Sequence, residues 1–507
     1  MRISFNATPA SFDPGTCGDL VSSSLSYLLY EGLVRSFQGK PEPALAEKIE
    51  ISEDLLTYTF HLKPSVWSDG KALTAHDFER SWKRVLNPKF PAVWPHLFFP
   101  IKNAEKLYRG EISSNEIGIE VLNDLTLRVT LERPAPYFLN LMTFPCYFPT
   151  PDSKEIKLSD AIVNNGPFSI EKATPHAEIL LKKNPNFWNS EQICLERVNI
   201  SIIPCEETAL KMFECGELDL IGGMESPLPL DSLESLRKKY LFSFSPIPAT
   251  TFCSFNTKHP FLQNKNLRKA LSYAIDRSSV IENITQMNET IATRPIPPVL
   301  IQVAKVNSQI SDSLDLNREF YPSFDPQEAQ SLLKRALAEL AIEKEQLNNL
   351  VFSYSSSEIN RKIASALCEQ WKETLGISVH QECCEKQGLR EKLFKGTYDL
   401  ALYFWISQFE DPIAILERFQ DPKNLKNTPH WYSEEYCNLL LIASEEKNPL
   451  LRLRILEAAE ELFCEEMPLA PIYHWSNGWI CSKSLHQVVS MPSGLIQYEW
   501  ISKDSSP

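Results

Sequence analysis

"LTYTFHLKPSVWSDGKALTAHDFERSWKRVLNP", residues 56–88, carries a strand, a tight turn and a helix in one run. Tyr58, Phe60 and Leu62 alternate on one face of an extended segment, the period of a half-buried strand. Asp69-Gly70 supplies the turn. Thr74 stands where an N-cap belongs, with Asp77 three residues on, near the amides that the first helical turn leaves without partners. Phe78, Trp82 and Val85 follow at i, i+4 and i+7, a stripe for burial against a sheet. A further strand alternates Leu125, Leu127, Val129 and Leu131 and stops at Pro134. Residues 42–149 therefore read as a compact α+β domain.

Outward from this segment, short strands are predicted in "MRISFN" (1–6) and "LLYEGLVRSF" (28–37). Between them lie a loop around Asp13, Pro14 and Gly15 and helical spacing from Leu20 to Tyr30. Residues 150–250 hold another α+β set, including a helix from Glu206 that ends at Gly216 and a short strand at 218–221. Beyond it, long helices dominate. Leu267, Leu271 and Ile275 share one face of 265–284; Leu332, Leu333, Ala336, Leu337 and Leu340 do so in 328–346; Ile363, Leu367 and Trp371 do so in 358–375. Strands are predicted in "GISVHQEC" (376–383) and "TYDLALYFWI" (397–406). A helix over 450–464 precedes a strand pair around an Asn477-Gly478 hairpin turn.

A chain of 507 residues is too long for one core, so two or three domains are expected. With 43% apolar and 23% charged residues it is not globally disordered. A net charge of -14 without a basic stripe excludes nucleic acid as the main partner. Neither a dinucleotide nor a P-loop glycine run is present, and the histidines show no H-E-x-x-H spacing. There is no G-x-S-x-G elbow, and Cys383-Cys384 beside His380 lacks a third orienting group. No enzyme activity, metal site or cofactor is expected. The 12 cysteines form no C-x-x-C; buried free thiols are expected, with one or two disulfides left open. "MRISFNATPASFDPGT" has no apolar signal core, and no run is long enough to cross a membrane.

Several further runs are distinctive: "LYEGLV" (29–34), "IKNAEKLYRG" (101–110), "LTLRVTLERPAPYFL" (125–139), "NNGPFSI" (164–170), "LKKNPNFW" (181–188), "GELDLI" (216–221), "LRKALSYAIDR" (267–277) and "APIYH" (470–474). Together with 56–88 and in this order, they resemble the peptide- and nickel-type solute-binding proteins of ABC importers, most closely the oligopeptide-binding branch. The resemblance implies an α/β (mixed α+β), periplasmic-binding-protein-like fold, a two-lobed cleft with an additional third domain. Lobe I would be 1–30, 148–250 and 468–507, the extra domain 31–147, and lobe II 251–467. The implied function is a substrate-binding receptor that captures short peptides or peptide-like ligands and delivers them to a membrane permease of an ABC transporter. It would act as a monomer, in the periplasm or at the outer face of the cytoplasmic membrane, with a signal or lipid-anchor segment absent from this chain.

In such relatives the ligand backbone pairs as a strand with main-chain segments of both lobes. The matching positions here are Cys17, Gly18, Asp19 and Leu20, and Tyr403, Phe404, Trp405 and Ile406. Trp94 matches a Tyr position that faces the ligand. The relatives' "G-W-x-x-D-Y" run, whose Asp accepts hydrogen bonds from the ligand's α-ammonium group, is "FWISQF" in this chain: Gln408 replaces the Asp and Phe404 the Gly. An amide accepts hydrogen bonds but does not neutralise an ammonium group. Positions that relatives fill with cations or imidazole near the ligand C-terminus are Leu402, Leu393 and Asn360 here, with Arg361, Arg390, Lys392 and Lys395 as neighbouring substitutes. Glu410 and Asp411 are candidate replacements for the missing anion. These departures leave open an atypical ligand such as a muropeptide, a metal chelate or haem.

Overall fold

The computed structural model describes residues 1–37, 39–151, 162–308, 310, 315–316 and 318–504, and in it the opening segment folds as its pattern predicts. Strand Thr57–Leu62 buries Tyr58, Phe60 and Leu62. It lies between Ala46–Ile51 and Thr126–Thr130, with Ile119–Asn123 outermost, in a four-stranded antiparallel sheet. Helix Ala75–Val85 starts after Thr74, whose backbone N–H donates to the Asp77 carboxylate at 2.8 Å. The helix buries Phe78, Trp82 and Val85. The Trp82 ring meets Phe98 and Tyr147 at centroid distances of 6.2 and 5.4 Å, and its indole N–H donates to the Tyr147 carbonyl at 2.7 Å. Leu127, Val129 and Leu131 are buried as the alternation requires, but Leu125 is 37% exposed because the strand begins only at Thr126.

Two compact units divide the chain: Met1–Ser245 with Gln408–Glu410 and Asn477–Pro507, and Pro246–Ser407 with Asp411–Ser476. The first unit also holds a sheet in the order Arg2–Phe5, Arg197–Ile202, Glu178–Lys183, Phe168–Thr174, parallel in its first pair and antiparallel in the others. Helix Leu20–Leu29 packs Leu25, Leu28 and Leu29 into the same core as Ile3, Phe5 and Ile200. Because this helix runs through Leu29, the strand predicted over 28–37 is confined to Val34–Phe37. The turn at 165–168 is tied to the helix end. Gly166 donates its N–H to the Leu29 carbonyl at 2.8 Å, and a Cβ there would sit 2.3 Å from the Leu29 carbonyl carbon.

In the second unit the strands His380–Cys384, Val351–Ser355 and Leu400–Ile406 run in that order, followed by Ser243–Phe255 and Leu469–Cys481, whose residues 246–255 and 469–476 belong to this unit. Helices Lys265–Tyr273, Pro326–Leu340 and Glu358–Leu375 bury their predicted faces in one core with Phe352 and Leu400. The helix predicted over 265–284 is broken, because Asp276 caps a new turn at Arg277–Val280 by accepting from the Ser279 N–H at 3.1 Å. Leu469–Cys481 is one continuous strand, so Asn477-Gly478 is not a hairpin turn. There the Asn477 amide donates to the Gly494 carbonyl at 2.7 Å and the Gly478 carbonyl accepts from the Gly223 N–H at 2.9 Å. These tertiary bonds hold extended a dipeptide that locally prefers to turn. All twelve cysteines are free thiols. Among the described residues no helix is long and apolar enough to cross a membrane.

Candidate functional site

In the first unit, the turn that carries Cys17 to Leu20 is built by two aspartates. Asp13 accepts from the Gly15 N–H at 2.9 Å and from the Arg84 guanidinium at 2.7 Å, fixing the turn Pro14–Thr16. Asp19 caps helix Leu20–Leu29, accepting from the Ser22 N–H at 2.9 Å and the Ser22 hydroxyl at 2.6 Å. Gly18 faces the Val93 side chain, which a Cβ would approach to 3.2 Å. Cys17 is buried, its thiol 2.9 Å from the Ser26 hydroxyl, and burial pushes its pKa up to about 12, so it is an inert packing residue.

Trp94 reaches this turn directly. Its indole N–H donates to the Cys17 carbonyl at 2.6 Å, and its ring packs edge-on against Phe144 at 5.8 Å. On its other side stands His96, 5.9 Å between ring centroids. The His96 Nε2 lies 3.2 Å from the Gln408 Oε1. Cys17, Trp94 and Gln408 are thus brought together, joined through His96. Nothing in the sequence marks His96, which is 312 residues from Gln408.

The acids after Gln408 are otherwise engaged. The Glu410 carboxylate accepts from the Ser36 hydroxyl at 3.0 and 3.1 Å, and burial pushes its pKa up to about 7. Phe409 stacks on Tyr137 at 5.2 Å. Asp411, in the second unit, makes a bidentate pair with Arg452 at 2.8 and 2.9 Å.

The second unit presents the strand Leu400–Ile406. Its partner on one side is Ser243–Phe255, in antiparallel register from Phe255↔Leu400 to Ala249↔Ile406. On its other side Val351–Ser355 pairs only with Leu400 and Ala401. Among the described residues no strand pairs with Tyr403 to Ile406 on that side. Ser407 donates its N–H to the Pro248 carbonyl at 2.8 Å, and the antiparallel ladder alternates from there. Trp405 and Tyr403 turn their amides inward, and Phe404 turns its N–H and C=O to the open edge. Aromatic rings frame that position: Phe404 lies 5.0 Å from Trp475 and 5.7 Å from Tyr403. Trp405 is buried against Phe252 at 4.2 Å.

The outward carbonyl of Ile406 is already engaged, accepting from the Arg418 guanidinium at 2.9 Å. Arg418 and Trp475 are further residues that spacing does not reveal. Leu402 and Leu393 are buried apolar residues, and Asn360 donates to the Ser355 hydroxyl at 2.7 Å. Of the neighbouring cations, Lys392 pairs with Glu382 and Lys395 with Glu391, while Arg390 lies over the Phe394 ring at 5.1 Å. Among the described residues, no three His, Cys, Asp or Glu side chains gather as a metal site.

Residues 40–427 match the family "Bacterial extracellular solute-binding proteins, family 5 Middle". The chain is 32% identical to the oligopeptide-binding protein OppA of Bacillus subtilis, over 98% of this chain and 91% of that protein. It is 26% identical to the periplasmic murein peptide-binding protein MppA of Escherichia coli, over 93% and 86% of the two chains. The crystal structure of a periplasmic oligopeptide-binding protein of Borrelia burgdorferi superposes with a TM-score of 0.81, covering 99% of each chain at 27% identity. The fold is accordingly the mixed α/β, multi-domain architecture of periplasmic binding proteins. A matched region of this extent, in a relative spanning nearly the whole chain, places the protein among the bacterial extracellular solute-binding proteins of family 5, which bind solutes for transport and are not enzymes.

Proposed function

We propose that the protein is the substrate-binding receptor of an ABC importer, taking up short peptides or peptide-like ligands outside the cytoplasmic membrane and handing them to a membrane permease as a monomer. The observation that carries this reading is the open strand edge at Phe404, whose N–H and C=O face away from the Ser243–Phe255 strand. A peptide adding there gains main-chain hydrogen bonds that do not depend on its side chains. Tyr403, Trp475 and Phe404 would exclude water around it. Cys17, Gly18, Asp19, Leu20, Trp94, Trp405, Ile406 and Gln408 complete the proposed ligand-binding set. The division into lobe I (1–30, 148–250, 468–507), extra domain (31–147) and lobe II (251–467) belongs to the same proposal.

Gln408 favours a second reading within this class. The Gln408 amide oxygen lies beside His96, and Glu410 is bonded to Ser36. A ligand lacking an ordinary free N-terminus, such as a muropeptide, would lose nothing at such a position. Calorimetry with a tripeptide and its N-acetyl form tests both. Tight binding of the free peptide alone supports the ordinary reading, comparable binding of the two supports the second, and binding of neither removes the peptide assignment.

A further inference from the structure

Arg418 follows helix Ile413–Leu416 and is 8% exposed. Its Nε donates to the Ala414 carbonyl at 3.0 Å and one Nη to the Ile406 carbonyl at 2.9 Å. Its guanidinium lies 5.6 Å from the centre of the Trp405 ring, whose own buried indole N–H has no partner among the described residues. Among those residues no carboxylate stands within ion-pairing distance of Arg418, and its second Nη bonds no protein acceptor and is not fully enclosed, so a ligand can reach it. A cation so deeply enclosed ordinarily has a counter-ion, because burying an unpaired charge costs several kcal/mol.

The surroundings add positive charge. Burial draws the Arg418 pKa down to about 10, opposed only in part by Glu417 and Tyr403. Burial and then the charge of Arg418 draw Lys426 down to about 8, with Arg390 contributing in the same direction. Glu417 is itself pushed up to about 7 by burial, with Asp411 adding in the same direction, in spite of Lys426 and Arg418. Arg418 thus shares its neighbourhood with Lys426, Arg390 and the acid Glu417, while the second acid there, Asp411, is held by Arg452, at the end of the strand edge that Phe404 leaves open.

We propose that Arg418, supported by the fields of Lys426 and Arg390, forms a carboxylate-binding subsite at the Ile406 end of the open edge, where the ligand is read through an anion. It rests on the peptide-receptor reading, whose ligand lies along that edge. A guanidinium presents paired donors in the fork that a carboxylate fits.

The test is calorimetry on the wild type, Arg418→Gln, Arg418→Lys and Lys426→Gln, using one tripeptide as free acid and as C-terminal amide. A third peptide, amidated but with an acidic side chain, separates a terminal carboxylate from a side-chain one. The wild type is expected to prefer a carboxylate-bearing peptide at least about ten-fold over the uncharged amide, with the preference lost in Arg418→Gln and partly kept in Arg418→Lys. Equal binding of all three peptides by the wild type, or an undiminished preference in Arg418→Gln, overturns the inference while leaving peptide binding intact. Should Arg418→Gln fail to fold, Lys426→Gln decides: a preference reduced about three-fold or more supports the subsite and an unchanged one overturns it. Should no peptide bind the wild type, the receptor reading falls and acetate becomes the probe. A higher melting temperature in acetate than in chloride at equal ionic strength, present in the wild type and absent in Lys426→Gln, keeps the subsite; no difference removes it.

Discussion

Replacing Gln408 by Asp restores an anion where the proposed ligand amine meets the protein. In the wild type the Gln408 Oε1 lies 3.2 Å from the His96 Nε2, while Glu410 is bonded to Ser36 and Asp411 to Arg452. A hydrogen bond to a charged group contributes about 1.5–3 kcal/mol and one between neutral groups about 0.5–1.5. The substitution therefore stabilises a bound α-ammonium group by about 1–2 kcal/mol more than the amide does, or roughly 5- to 30-fold in affinity. The comparison belongs at pH 6 to 7, where the peptide α-amine, with a pKa of about 8, is charged. Titration calorimetry of a tripeptide and its N-acetyl form against both proteins reads the difference. The gain is expected for the free amine alone. An equal gain for both forms, or none for either, refutes the placement of an amine at residue 408.

Phe404→Pro removes an amide that points to the open edge and breaks no bond to Ser243–Phe255, so peptide affinity is expected to fall about ten-fold or more while the melting temperature stays close to wild type. Calorimetry and a thermal melt check both halves. Gly166→Ala drives a Cβ to 2.3 Å from the Leu29 carbonyl carbon, a clash with backbone rather than with a flexible side chain, and is expected to cost about 3 kcal/mol in a urea titration. The Glu410 carboxyl titrates near 4.5 unfolded and at about 7 folded, so the folded state holds the extra proton between those values and stability falls as pH rises through that window. That loss is about 3 kcal/mol for a shift of this size, and Glu410→Gln is expected to flatten the urea midpoint between pH 4.5 and 7 by a corresponding amount.

The segment 56–88 was readable because strand period, turn, cap and helical stripe agree with one another locally. The same holds for the faces of the helices at 326–340 and 358–375. Legibility failed where a distant partner decides. Asn477-Gly478 carries a strong local turn signal, yet bonds to Gly494 and Gly223 hold it in a strand. The helical spacing over 20–30 was legible, Leu25, Leu28 and Leu29 sharing the buried face of helix Leu20–Leu29, but the strand predicted over 28–37 overran it and survives only at Val34–Phe37. At the candidate site, the exchange of Asp for Gln408 was visible only against a family pattern. The partners that give it chemical meaning were not: His96 comes from a short helical turn, Pro95–Phe98, 312 residues away, and nothing in the spacing around Arg418 announces that its side chain is enclosed against Trp405. Burial and pairing are properties of the folded chain, and they decide which charges a ligand meets.

Native mass spectrometry of the protein as purified, followed by denaturing release of whatever it carries, tests the receptor assignment most directly. The account predicts one bound molecule per chain with the mass of a short peptide or a carboxylate-bearing peptide-like compound, displaced by added peptides. Release of haem or a metal chelate, or a ligand-free chain that takes up nothing from a peptide mixture, would contradict it.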